Sequence, residues 1–481
     1  MSLKQKTFKG VIWSAVERFS TQGVQFLFGI LLARLLTPND YGMIAMLTIF
    51  MAVSQTFIDS GFGNALIRKP DRNEADKATV FFFNIFMGVA CYGVIFLAAP
   101  FVAQFYNMPQ LKDILRVLAI NLIILAFGSI QRLNLTIDLN FKTLAKVSLI
   151  GAVVGGVAGL TCAYNGLGVW SLVVQQMTTM STRVILFWML VHWRPKFFFC
   201  KASFKNMFGF GSKLLISSLI NTLYENIYDL IIGKVFSAST LGNYSRASHF
   251  ANFPSSNING IFQRVTFPVL SKIQNDHEKL RTGYLKFLNM STLVVFPLMI
   301  GLSAIAKPFI LLVLTDKWVD AILILQIICF AQMWYPVHSI NLNMLQVLGR
   351  SDLFLKLEII KKIVGIIILC VAIPHGIIAI CYSQWVSTCF GLVINTYYSG
   401  KLLNAGLLTQ LKMYIPTLLN SLVMGAICIG VTKLLPEQEY ALQLALGITA
   451  GAVYYIASNC IFNRATVKEL LELLNKKKNK S

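Results

Sequence analysis

Two ionisable side chains, Glu17 and Arg18, lie inside the first membrane-length stretch of this sequence, the run from Phe8 to Leu36. A charge in hydrocarbon costs several kcal/mol, roughly 2.5–3.5 on insertion scales, so such residues face a cavity or a partner. A guanidinium offers donors to an anion, and a carboxylate can carry a proton or hold a cation. Ser14, Arg18, Thr21 and Gln25 recur at the spacing of one helix face, with Glu17 and Gln22 beside them. The rest of the run is apolar, so a helix with a wet stripe crosses the membrane and lines something.

The same signature returns later. A second membrane-length segment carries Lys213, Ser217, Asn221 and Glu225 at helical spacing, with Tyr228 and Asp229 one turn on. The segment after it shows Arg246, His249, Asn252, Ser256, Gly260 and Gln263 on one side. Thr48, Gln55 and Asp59 form a lighter stripe near the start of the chain. Arg18, Lys213, Gln25, Asn221, Gln55 and Asn252 are therefore candidate binding residues. Glu17, Glu225, Asp229 and Asp59 are candidates for ion coupling.

Each charge also has a structural reading. Arg18 can line a cavity or snorkel towards the headgroups. Glu225 and Asp229 either face a cavity or pair with Lys213 or Lys234. Arg34, Arg116, Lys234 and Arg246 sit near segment ends and read as interfacial anchors; Arg183 and Arg264 are intermediate. His249 and His338 read as packing residues.

The elements that position these side chains follow from composition. The 481 residues are 56% hydrophobic and 13% charged, against about 25% charged in soluble domains, and the mean hydropathy is +0.66. This predicts an all-α polytopic membrane protein. Fourteen spans are expected, each fitting the roughly 17–25 residues that a bilayer needs. Their limits are 10–34, 41–66, 79–105, 112–132, 145–165, 168–191, 206–234, 241–271, 284–304, 320–348, 353–374, 376–399, 411–434 and 440–462.

The net charge of +22 does not point to nucleic acid. Most of the 42 Lys and Arg fall at the N-terminus, in every second loop and in the tail after Phe462. Lys4, Lys6 and Lys9, then Arg68, Lys69, Arg72 and Lys77, then Arg194, Lys196, Lys201 and Lys205 are examples. That is the positive-inside pattern, with both termini cytoplasmic. The tail, including Lys476, Lys477 and Lys478, reads as solvated and touching anionic lipid. The first span is too long for a secretory signal and lacks a cleavage site, so it is expected to stay.

Nine cysteines stand singly in apolar surroundings and five histidines share no ligand spacing, so neither disulfides nor a metal site is expected. No P-loop, G-x-S-x-G or dinucleotide fingerprint occurs, which argues against ATP hydrolysis, and no cofactor is expected.

The chain also matches itself. Phe8-Lys9 aligns with Phe204-Lys205, Tyr41-Gly42 with Leu241-Gly242, Pro100-Phe101 with Pro308-Phe309, and Gly166 with Gly376. Each copy holds an even number of spans, so the copies are parallel repeats, as in two-lobed secondary transporters. The expected organisation is a six-helix lobe over 1–200, its repeat over 201–405, two further helices over 406–462 and a basic cytoplasmic tail over 463–481. Two such lobes would enclose a polar central cavity.

Four motifs carry a family resemblance. Ala33-Arg34-Leu35-Leu36-Thr37-Pro38-Asn39-Asp40-Tyr41-Gly42 is similar to the first outer loop of Wzx-type polysaccharide repeat-unit flippases. Asp59-Ser60-Gly61-Phe62-Gly63-Asn64-Ala65-Leu66-Ile67 resembles their motif closing the second span. Leu241-Gly242-Asn243-Tyr244-Ser245-Arg246-Ala247 and Phe267-Pro268-Val269-Leu270-Ser271 resemble their eighth-span signatures. The nearest flavour is the colanic-acid-exporter-like branch of the oligosaccharidyl-lipid and polysaccharide exporters.

That resemblance implies a fold shared with multidrug extruders and the lipid II flippase, in the bacterial cytoplasmic (inner) membrane. It implies alternating access that moves an undecaprenyl-diphosphate-linked oligosaccharide from the cytoplasmic to the periplasmic leaflet, for O-antigen, capsule or exopolysaccharide. Such a substrate cannot cross hydrocarbon unaided. Arg18 and then Lys213 are the expected diphosphate contacts, with Gln, Asn and Tyr for sugar hydroxyls. The lipid-linked oligosaccharide, membrane lipids and a polysaccharide polymerase or chain-length machinery are the expected partners of a monomer. A cation or drug extruder of the same fold would favour carboxylates in the cavity, and here basic residues are at least as numerous. A glycan polymerase or ligase would need a sizeable outer loop, and the outer loops are short, so no enzyme is expected.

Overall fold

A computed structural model describes the backbone of residues 3–59, 61–69 and 71–462. The basic tail expected at 463–481 and the side chain of Ser14 lie outside the described residues. Among the described residues every regular element is helical.

The order is α1 (Leu3–Leu35), α2 (Pro38–Asp59), α3 (Phe62–Arg68), α4 (Glu74–Phe105), α5 (Leu111–Ile137), α6 (Phe141–Tyr164), α7 (Trp170–Leu190), α8 (Lys201–Glu225), α9 (Ile227–Val235) and α10 (Ala238–Lys272). There follow α11 (His277–Ala304), α12 (Ala306–Leu314), α13 (Ala321–Gln332), α14 (Tyr335–Val347), α15 (Ser351–Ala372), α16 (Ile377–Leu403), α17 (Leu407–Leu434) and α18 (Tyr440–Phe462). Nine helical stretches among the described residues are long and apolar enough to cross a membrane. The chain is a multi-pass membrane protein. The polar stripes of α1, α8 and α10 keep those helices out of the nine.

Three of the expected spans are broken, each for a local reason. The second stops at Asp59, and Gly61 takes a left-handed conformation at φ 71° before α3 starts, a backbone that only glycine adopts freely. The seventh is interrupted at Asn226, whose side-chain amide donates to the Thr222 carbonyl at 2.8 Å and so competes with the helical ladder. The tenth is divided between α13 and α14, where Pro336 lacks the N–H that would reach the Gln332 carbonyl. Ser255 supplies the replacement, donating its hydroxyl to that carbonyl at 2.7 Å.

Contacts divide the chain into two compact units, Met1–Gly242 and Asn243–Ser481. The boundary falls just inside α10, so α8 and α9 pack with the first unit. The lobes read from the sequence divide the chain earlier, at the α7–α8 connection.

In the first unit α6 packs against α1 and α7, α4 against α5, and α2 against α4, α5, α8 and α9. Gly151, Gly155 and Gly159 make a stripe on α6 that lets the α7 backbone come close. A Cβ at Gly155 would overlap the Thr179 hydroxyl and stand 2.8 Å from the Gln175 carbonyl. A Cβ at Gly151 would stand 2.6 Å from Arg183 Cγ. The glycine therefore makes room for that arginine stem.

The second unit is held by α11 against α17, α13 and α14, α15 against α16, and α17 against α18. Its centre contains a closed polar network. Tyr284 donates to Asn341 Oδ1 at 2.5 Å, Gln410 Nε2 donates to Tyr284 at 2.9 Å, and Tyr414 donates to Gln410 Oε1 at 2.8 Å. Ser399 joins it through Asn341 Oδ1 at 3.3 Å. Such a network is tolerable in a low-dielectric core only because its members satisfy one another.

A charged cavity in the first unit

The first unit holds a cavity of about 880 Å³ walled by α1 to α7. From α1 it takes Glu17, Arg18, Thr21, Gln22 and Gln25, which is the polar stripe of that helix. Gln55 and Asp59 come from the last turns of α2, and Asn64 comes from α3. Asn84 on α4, Ser129 and Arg132 on α5, Ser148 on α6 and Arg183 on α7 complete the polar wall.

These positions belong to one end of the bundle. They lie in the N-terminal half of α4 and α6, the C-terminal half of α2, α5 and α7, and the middle of α1. The connections and adjoining helix ends there carry Arg68, Lys69, Arg72 and Lys77, then Lys142, then Arg194 and Lys196.

Local bonds fix the wall. Ser148 donates to Glu17 Oε1 at 3.1 Å. Asn84 Nδ2 donates to Ser129 Oγ at 3.1 Å, and that hydroxyl donates to the Ala126 carbonyl at 2.8 Å. Asp59 closes α2, where a carboxylate opposes the negative end of the helix dipole; the Arg132 guanidinium is within Coulombic reach of it. Arg183 feels both Arg132 and Glu17. Three guanidiniums thus share one space with two carboxylates.

Part of this polar capacity is unspent. Thr21 Oγ1, Gln22 Oε1, Asn84 Oδ1 and Arg183 Nε have no hydrogen-bond partner. Buried polar atoms are normally paired, and a site that leaves several open is prepared for something polar. The volume lies at the upper end of the roughly 300–1,000 Å³ of small-ligand sites.

Of the candidates read from the sequence, Arg18, Gln25, Gln55, Glu17 and Asp59 are gathered here. Lys213, Asn221, Glu225 and Asp229 are not among its lining residues. Asn221 Nδ2 donates to Glu225 Oε1 at 3.1 Å along α8. Asp229, on α9, is within Coulombic reach of Tyr106. Lys234 donates to the Phe105 carbonyl at 2.5 Å and stands 4.5 Å from that ring. Asn252 is exposed on α10 in the second unit.

Sequence reasoning missed Arg132 and left Arg183 unassigned. The span expected over 112–132 ends at Arg132, whereas α5 continues to Ile137. The available signal was Ser129, Arg132 and Thr136, spaced as one helix face.

These features define a helical, multi-pass membrane protein whose first unit holds a walled, charged cavity. Residues 31–323 match the polysaccharide biosynthesis protein family, and the chain belongs to it. It is 27% identical to the teichuronic acid biosynthesis protein TuaB of Bacillus subtilis (strain 168), over 95% of each chain. It is 26% identical to the lipopolysaccharide biosynthesis protein WzxC of Escherichia coli (strain K12), over 75% of this chain and 74% of that one. Its fold is that of the lipid II flippase MurJ in an inward closed conformation, with a TM-score of 0.75. That match covers 94% of this chain and 99% of the other at 13% identity. The family is named for polysaccharide biosynthesis, and the solved neighbour that shares the fold is a flippase.

Proposed function

We propose that this protein flips an undecaprenyl-diphosphate-linked oligosaccharide from the cytoplasmic to the periplasmic leaflet for surface polysaccharide biosynthesis. The observation that carries this reading is the convergence of Arg18, Arg132 and Arg183 on one cavity. Guanidiniums hold phosphate oxygens by short, charge-assisted and often bidentate bonds. Gln25, Gln55 and Asn64 provide amides for sugar hydroxyls. The basic connections at the cavity's end of the unit favour a cytoplasmic mouth, the side on which a lipid-linked repeat unit is made. The names of TuaB and WzxC support a polysaccharide pathway, and that of MurJ supports a lipid-linked cargo.

In this reading fourteen spans form two parallel lobes in the inner membrane, both termini are cytoplasmic, and the cycle is alternating access by a monomer. Glu17 and Asp59 compensate the arginines between cargoes and are available for ion coupling. An extruder of organic cations is disfavoured, because arginines outnumber carboxylates in the cavity.

Arg18→Ala is the direct test, in cells deleted for the gene and complemented with each variant. The expected result is loss of surface polysaccharide and accumulation of lipid-linked repeat units on the cytoplasmic face, with normal protein in the membrane. Normal polysaccharide output from that variant would remove the assignment.

A further inference from the structure

The connection between α7 and α8, residues 191–200, contains no helix and is fastened at both ends. Arg194 folds back on α7, donating to the carbonyls of Trp188 at 2.7 Å, Val191 at 2.6 Å and Trp193 at 2.9 Å. It thereby occupies carbonyls that a helix end leaves open. Trp193 Nε1 donates to Glu74 Oε2 at 2.6 Å, and the Cys200 N–H donates to Thr79 Oγ1 at 3.0 Å.

Between these fastenings Phe197, Phe198 and Phe199 protrude, 96%, 55% and 52% exposed. Contiguous exposed aromatics mark a surface that meets something apolar. The Phe197 ring stands 5.5 Å from Phe82, within the first turns of α4, a helix long and apolar enough to cross a membrane. The aromatic tip is therefore at the end of a crossing helix. Lys196, Lys201 and Lys205 are exposed around it, and no acidic residue occurs from 191 to 224. Aromatic rings combined with lysines match the boundary between acyl chains and anionic headgroups.

We propose that this fastened loop is a lipid-docking element. Phe197, Phe198 and Phe199 enter the interfacial layer, and Lys196, Lys201 and Lys205 meet the phosphates of anionic lipids. The contact is separate from the cargo cavity and does not depend on what the cavity carries. Fastening matters, because a loop already held in shape loses little conformational freedom when it docks.

Hydrogen–deuterium exchange of the full chain tests this in three surroundings: detergent, nanodiscs of phosphatidylcholine, and nanodiscs with added phosphatidylglycerol. The amides of residues 196–200 should exchange at least about tenfold more slowly in the anionic discs than in detergent, and neutral discs should lie between. Lys196→Glu combined with Lys201→Glu should erase the difference between the two lipids. Phe198→Ser should speed exchange in both. Unchanged exchange in α4 to α7 verifies folding, and 1 M salt on the unmodified protein gives a second measurement, since charges are screened within about 3 Å there. Equal exchange in all three surroundings, or slow exchange indifferent to both salt and the lysine changes, would overturn the proposal.

Discussion

The Ser148 hydroxyl donates to the Glu17 carboxylate at 3.1 Å, tying α6 to α1 across the cavity wall. A hydrogen bond to a charged group contributes about 1.5–3 kcal/mol. Ser148→Ala and Glu17→Gln should each lower thermal stability, and their double-mutant cycle should show a coupling of about 1 kcal/mol. Strict additivity in the unfolding measurements would mean that the bond is not formed.

Arg132→Ala and Arg183→Ala should each reduce polysaccharide export by at least about tenfold, the loss of one charge-assisted contact. Lysine at the same positions should restore part of it, keeping charge but not the bidentate fork. Lys213→Ala provides the contrast, since that side chain is exposed on α8 and outside the cavity lining. Export assays normalised to membrane protein would separate these outcomes, and an effect of Lys213→Ala equal to that of Arg132→Ala would extend the site to α8.

The α6 glycines should tolerate nothing larger. Gly155→Val would drive its side chain into Thr179 and the Gln175 carbonyl, at about 1–3 kcal/mol of overpacking. A Cβ at Gly93 on α4 meets no atom within 4 Å, so Gly93→Ala should be neutral or stabilise by about 0.5–1 kcal/mol. Melting temperatures of the two variants would check both signs at once.

Ser255→Ala should expose the weakness at the α13–α14 break by leaving the Gln332 carbonyl buried and unpaired, at about 1–3 kcal/mol. Pro336→Ala in the same chain restores an N–H for that carbonyl and should recover part of the loss. No recovery in denaturation experiments would assign the effect of Ser255→Ala to packing instead.

The stripe on α1 was legible because Arg18, Thr21 and Gln25 interrupt an otherwise apolar helix. Contrast of that kind is what makes a periodicity visible. Arg183 lacked it, for Gln175, Gln176, Thr178, Thr179, Ser181 and Thr182 spread polarity around much of α7. Which of them faces a cavity is decided by the neighbour, and Gly151 makes the room for Arg183. The breaks at Asn226 and before Pro336 were hidden for another reason. Membrane-length hydropathy continues through the second break, and the compensating bond from Ser255 comes from a residue far away in sequence. Local pattern reports the need for a partner but not its identity.

The closed network of Tyr284, Asn341, Ser399, Gln410 and Tyr414 has a consequence for genetics. Polar side chains in the first unit stand partly unpaired around a space, whereas these are committed to one another. Random replacement of a polar residue should accordingly yield two kinds of defective allele. Those around the cavity would accumulate normally in the membrane and fail to export, while those in the network would be scarce because the chain is degraded. Sorting an unbiased library by abundance before sorting by export would draw the map of cargo contacts without any prior choice of residues.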